Sequence, residues 1–240
     1  MYLQILLSGL IGGLINLDTY SVAQTMISRP LVISPLLGLI LGTLNGSPQE
    51  GLQLGAVVGV ILELLWMNTF QVGVVMPPNA TISSITVTSL VCISIIGQQL
   101  NSLEKVTFLI LSICFGFIIG IFAKWVDFFL YNKVNIALLH KLEDDVKAGK
   151  LQSIEIITWI SIGICFIVNF LLLMGIIIVG LFTVKLIVSI IASKFDLTII
   201  LPLLLLFGCG VTISVFGVRK NIIYFIAGFI LTTILVMVIG

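Results

Sequence analysis

The chain has 240 residues, 60% of them apolar and 9% charged, with a formal net charge of +1 and a mean hydropathy of +1.32. Soluble domains are about half apolar and about a quarter charged, so this composition excludes a water-soluble globular protein and marks an integral membrane protein. The near balance of charge excludes recruitment of nucleic acid or of an acidic partner by bulk electrostatics.

The start, Met1-Tyr2-Leu3-Gln4, lacks the basic region and small-residue cleavage signal of a secretory peptide, so the N-terminus is expected to be kept. Leu3 to Leu17, Leu31 to Leu44 and Leu52 to Val75 are either short of the roughly 20 residues that cross a bilayer or studded with Gly and Pro. They predict broken or re-entrant helical hairpins. Irregular backbone at membrane depth is tolerated only where protein or a watery cavity satisfies its amides, so residues 1–100 form a half that must be shielded by the remainder. Ala80 to Ile96, rich in Ser and Thr, is a further candidate span. Thr107 to Tyr131, Ile154 to Val184, Leu197 to Val218 and Ile222 to Gly240 read as spanning helices. The predicted fold class is thus an all-α polytopic helical bundle whose second half, residues 101–240, contains the plain spans.

Two glycine ladders lie in the first half, Gly38-Gly42-Gly46 and Gly51-Gly55-Gly59. Spacing by four places the glycines on one helical face, which lets helix backbones approach closely where lipid supplies no hydrophobic drive for association. A hairpin of two such helices is compact enough to move as a unit.

In the second half, Lys124, Lys133, Lys141, Lys147 and Lys150 make up five of the eleven basic residues, beside the acidic run Glu143-Asp144-Asp145. The positive-inside rule puts this connection in the cytoplasm. Residues 132–153 have the pattern of an amphipathic helix on the membrane or against a soluble partner, or of a solvated linker. Cys92, Cys114, Cys165 and Cys209 are scattered singly with no metal or redox spacing.

Glu63 is the sole charge between Leu52 and Met76, and a charge within apolar membrane text is costly enough to point to function. Recognition of a neutral polyol needs fixed acceptors and donors, which carboxylates and carboxamides provide. The polar residues set in apolar text supply them: Asp18 and Gln24 ahead of Arg29-Pro30, then Glu63, Asn68 and Gln71, then Asn79 after Pro77-Pro78. Trp66 and Phe70 are placed to offer an apolar face to a ring or to pack the core. Arg29 is the expected neutralising partner of Asp18 or Glu63. For each acid, a buried ion pair is the competing structural reading.

No phosphate-binding loop of the form G-x-x-x-x-G-K-[ST] and no H-E-x-x-H occurs in the sequence. No metal, cofactor or catalytic residue is called for by this chain alone. If transport is driven, an ion gradient or a partner must supply the energy.

The run from Leu17-Asp18 through Gln24-Thr25-Met26, Arg29-Pro30 and Gly38 to Gly42, continued by Gly51-Leu-Gln-Leu-Gly55, Leu62-Glu63-Leu-Leu-Trp66, Gly73 and Pro77-Pro78, resembles the membrane component IIC of the mannose/fructose/sorbose family of bacterial phosphotransferase systems. The resemblance implies a multi-pass subunit of the bacterial cytoplasmic membrane that binds a hexose or amino sugar and passes it inward. It further implies a second membrane subunit, IID, cytoplasmic IIB and IIA proteins that carry the phosphoryl group, and an assembly of several IIC–IID pairs. Sugar contact is carried by that resemblance to Glu63, Asp18, Gln24, Gln71 and Asn79. Asn79 stands where the family usually has Asp, and Thr43 where it usually has an acid. Two other classes compete on the residues alone: an ion-coupled secondary transporter with Glu63 and Asp18 as ion carriers, and a non-transporting membrane scaffold or receptor.

Overall fold

The structure, a computed structural model, describes residues 1–20, 25–67, 77–97, 100–150 and 152–191. The expected spans 197–218 and 222–240, and with them Gln24, Asn68, Phe70, Gln71 and Cys209, lie outside the described residues. Among the described residues the secondary structure is helical throughout: α1 Tyr2–Tyr20, α2 Pro30–Leu44, α3 Pro48–Trp66, α4 Ala80–Val91, a π-helical turn Cys92–Ile96, α5 Ser102–Phe129, a second π-helical turn Leu130–Asn135, α6 Ile136–Lys147 and α7 Ser153–Ile191. Four stretches of it, Tyr2–Thr19, Pro48–Trp66, Ser102–Lys147 and Ser153–Ile190, are long and apolar enough to cross a membrane.

The hairpin expected in the first half is α2–α3. Pro30 and Pro48 open its two helices, at the position where a missing N–H leaves no bond unmade. The 15 residues of α2 rise about 22 Å at 1.5 Å each, short of the roughly 30 Å hydrocarbon core. The chain then reverses at Asn45-Gly46-Ser47, where Gly46 takes φ +77°. Both α1 and α3 run unbroken over 19 residues each.

The glycine faces meet each other. A Cβ on Gly38 would enter the carbonyl of Gly51, one on Gly51 the carbonyl of Gly38, and one on Gly55 the carbonyl of Ser34; at Gly42 it would lie 2.7 Å from the Ser47 carbonyl. Backbone therefore packs on backbone along the seam, with no room for any side chain. Gly46 departs from the expected ladder, because it sits in the turn with open space, nothing within 4 Å, where a methyl group would stand, and serves through its left-handed φ instead.

The Ser/Thr-rich segment forms the centre of the bundle. Every residue of α4 from Thr81 to Val91 is buried, with α1, α2, α3, α5 and α7 packed around it. Ile82 and Ile85 share a core with Leu37, Leu41 and Leu173, while Val87 and Leu90 pack with Leu62, Trp66 and Phe108. Its hydroxyls turn to backbone where they find it: Ser83 Oγ donates to the Gly116 carbonyl of α5 at 2.7 Å. Gly116 and Gly120 make that approach possible, since a Cβ there would meet Val87 and Trp66 respectively.

The charged connection is a helix. From α5 the chain passes through the second π-helical turn directly into α6, which buries none of its residues. It reverses at Gly149 with φ +77° and returns as α7, whose 39 residues measure about 58 Å, nearly twice the hydrocarbon core. Trp125, Phe128, Phe129, Tyr131 and Trp159 are exposed on α5, the π-helical turn and α7 at the level where α6 departs, as in the aromatic belt of a membrane–water interface. The length of α7 is enough for its first turn to reach beyond a bilayer.

Candidate solute site at the α6 end of the bundle

Five helix ends converge where α5 gives way to α6: the C-termini of α1, α3 and α5 and the N-termini of α2 and α4. Helix N-termini carry unpaired N–H groups and about half a positive charge, so acids are the natural companions of the last two. The sequence supplies one to each.

Glu63, in the last turn of α3, meets the start of α2. Its Oε2 accepts the Leu31 N–H at 3.3 Å, and its Oε1 lies 3.6 Å from Arg29 Nη1, the two side chains being 18% and 36% exposed. Arg29 therefore pairs with Glu63, as one of the two expected options. The lone charge of the apolar stretch is thus at a helix end with part of its surface open, and the neutralising cation is the residue that precedes the helix it caps.

Asp18, near the end of α1, binds the segment leading into α2. Its Oδ1 accepts the Thr25 N–H at 2.6 Å and the Thr25 hydroxyl at 2.9 Å, and its Oδ2 accepts the Ser28 N–H at 3.3 Å. Met26 between them adopts φ 65°, a left-handed conformation that few side chains take without such support. From the other side, Thr81 Oγ1 donates to the Ser28 carbonyl at 3.0 Å and meets Thr19 Oγ1 at 3.1 Å. Residues 25–29 are therefore held between α1 and α4, with Arg29 leaning on α3.

Asn79 is 1% exposed and caps α4, its Oδ1 accepting the Ile82 N–H at 2.9 Å. Its Nδ2 donates to Asn16 Oδ1 at 3.0 Å and to Asp127 Oδ2 at 2.7 Å, and its own N–H reaches the Gly120 carbonyl. In this conformation the carboxamide is engaged by protein on every side. Asn16 and Asp127 are absent from the set expected on sequence, although Asp127 carries the same signal as Glu63, an acid between aromatic and aliphatic neighbours. Its nearness to Lys124 and Lys133 makes it read as part of the charged connection.

Thr43 lies at the opposite end, bonded to the Ile40 carbonyl of its own helix. That end is fastened by Gln4 Nε2 donating to Asn45 Oδ1 at 2.6 Å and by Lys105 with Glu50 at 3.3 Å. Among the described residues no group of three His, Cys, Asp or Glu side chains is gathered to hold a metal. The α6 end offers a carboxylate with spare lone pairs, guanidinium donors and hydroxyls, a set suited to holding a neutral hydroxylated solute.

Comparison with known proteins gives the family and the likeness of fold. The family model described as the sorbose-specific IIC component of the phosphotransferase system matches residues 2–240. A protein of Escherichia coli (strain K12), provisionally named N-acetylgalactosamine permease IIC component 2, is 34% identical over 87 residues, 36% of this chain and 59% of that protein. This chain thus spans about three fifths of that relative's length. A solved membrane-protein structure superposes with TM-score 0.65 at 17% identity, covering 100% of this chain and 92% of its own, which establishes likeness of fold. The match over nearly the full length, together with the helical membrane architecture, places this chain in the family of sorbose-specific IIC components of the phosphotransferase system.

Proposed function

We propose that the protein is the sugar-translocating IIC permease subunit of a phosphotransferase system, taking a hexose or amino sugar inward for phosphorylation by a IIB protein while IID completes the membrane assembly. The observation that carries this reading is the partly open Arg29–Glu63 pair at the N-terminus of α2. It lies at the end of the bundle from which the lysine-bearing α6 projects, which the positive-inside rule makes cytoplasmic. A sugar that reaches this end is positioned for handover.

Glu63 is assigned to accept from two neighbouring hydroxyls and Arg29 to donate to a third. Asp18 shapes the mouth by holding residues 25–29, and Asn79 supports it from within. Gln24, Asn68 and Gln71 adjoin these positions in sequence and are assigned to the remaining hydroxyls. Phosphorylation gives the product about two negative charges at neutral pH, and like-charge repulsion from Glu63 and Asp18 then disfavours rebinding. Delivery becomes one-way. The subunit works among several IIC–IID pairs in the bacterial cytoplasmic membrane.

The test is accumulation of phosphorylated sugar in a strain lacking this gene and in the same strain complemented, across labelled hexoses and amino sugars that include N-acetylgalactosamine. Loss of one sugar phosphate on deletion, restored on complementation, is the expected outcome. Uptake that persists without phosphoenolpyruvate and collapses with an uncoupler would instead establish ion-coupled transport.

A further inference from the structure

The acid met by α4 differs from Glu63. Among the described residues, Asp127 is 6% exposed, pairs with no basic side chain, and accepts a side-chain hydrogen bond from Asn79. Three residues later the α5 helix loosens into the π-helical turn Leu130–Asn135 that carries α6 out of the bundle. Such turns commonly sit at functional sites. In the other direction Asn79 fixes the first turn of α4 by capping Ile82. Thr81, in that turn, bonds the Ser28 carbonyl, and Ser28 N–H bonds Asp18. One residue further is Arg29, paired with Glu63.

We propose that Asp127 is a positioning residue for the solute site: through Asn79 and the first turn of α4 it sets where residues 25–29 stand, and so ties the Arg29–Glu63 mouth to the root of the projecting α6 helix. The inference rests on the sugar-site reading for its meaning, while the linkage itself stands on geometry. Asp127 touches no solute. Its carboxyl holds Asn79, whose amide is shared with Asn16, and the hydroxyl of Thr81 passes that position to the Ser28 carbonyl. Each link is short and, from Asp127 to Thr81, buried, so a change at Asp127 has no solvent to relax into before it reaches Thr81. A cycle of single and double variants measures the coupling along this chain.

The experiment is amide hydrogen exchange of the purified full-length protein in detergent, read over Thr25–Leu31 and separately over Ala80–Ser84. Asp127→Leu removes the acceptor, Asp127→Asn returns a carboxamide oxygen to the same place, and Thr81→Val cuts the chain at its far link. Exchange over Thr25–Leu31 is expected to speed up about tenfold in Asp127→Leu and in Thr81→Val, to stay within about twofold of the parent in Asp127→Asn, and to rise no further in the Asp127→Leu/Thr81→Val double variant than in the larger single. Faster exchange confined to Ala80–Ser84 in Asp127→Leu, or multiplicative effects in the double variant, would overturn the proposal. Should Asp127→Leu fail to fold, unchanged exchange over Thr25–Leu31 in Thr81→Val overturns it alone. If exchange follows the chain while Glu63→Gln leaves every sugar's uptake intact, the linkage stands and the sugar-site reading falls.

Discussion

At its turn, among the described residues, the α2–α3 hairpin is fastened to its neighbours by one amide contact, Gln4 with Asn45, and one half-exposed ion pair, Lys105 with Glu50. At its other end it is held by the bonds of Asp18 to Thr25 and Ser28, of Thr81 to Ser28 and of Glu63 to Arg29 and Leu31. Open ion pairs contribute roughly 0–1 kcal/mol and a neutral hydrogen bond about 1 kcal/mol, whereas bonds to charged groups reach about 1.5–3 kcal/mol each. On this scale the described contacts fasten the hairpin more weakly at its turn than at the α6 end. Among the described residues the polar contacts of the hairpin concentrate at its α6 end, the end to which the proposed function assigns the sugar.

The seam that joins the two ends is the most sensitive place to break this arrangement. Gly51→Leu drives a side chain into the Gly38 carbonyl, and overpacking of this kind costs about 1–3 kcal/mol or more where backbone must move; thermal unfolding in detergent should show a large drop in midpoint and uptake should be lost with it. The tether comes next. Asp18→Ala leaves the Thr25 and Ser28 amides without their acceptor at a partly open site, at about 0.5–1.5 kcal/mol, and should lower the maximal uptake rate by about tenfold while the protein still reaches the membrane. Smallest is the turn end, where Lys105→Ala should cost at most about 0.5 kcal/mol and shift neither the unfolding midpoint nor uptake measurably. A Lys105→Ala effect equal to that of Asp18→Ala would erase the contrast between the two ends.

Much of this is legible in the sequence, and the part that is not has a physical cause. The four-residue glycine spacing announces the α2–α3 seam because periodicity survives in the text, yet the same spacing carries Gly46 with it, and only the reversal at Asn45-Gly46-Ser47 separates a turn glycine from a packing one. Glu63 stands out since nothing near it in sequence is charged, and Arg29 is nameable as its partner because it is the one basic residue in the apolar text ahead of it. The network of Asn16, Asn79 and Asp127 joins positions 16, 79 and 127 across three helices, and no local pattern reports contacts of that separation. Likewise, the Ser and Thr of α4 mark a span, but their central place in the bundle depends on which helices surround them.

Glu63→Gln, read as phosphorylated-sugar accumulation beside the amount of protein in the membrane, bears most directly on the role of this carboxylate. The substitution keeps the shape of the side chain and an acceptor for the Leu31 N–H while removing the charge that Arg29 faces. Uptake should fall by at least about a hundredfold, the order of a lost charged contact to substrate of about 3 kcal/mol, with membrane levels equal to the parent. Parental uptake at parental levels would contradict the assignment and leave the Arg29–Glu63 pair as a brace at the foot of α2.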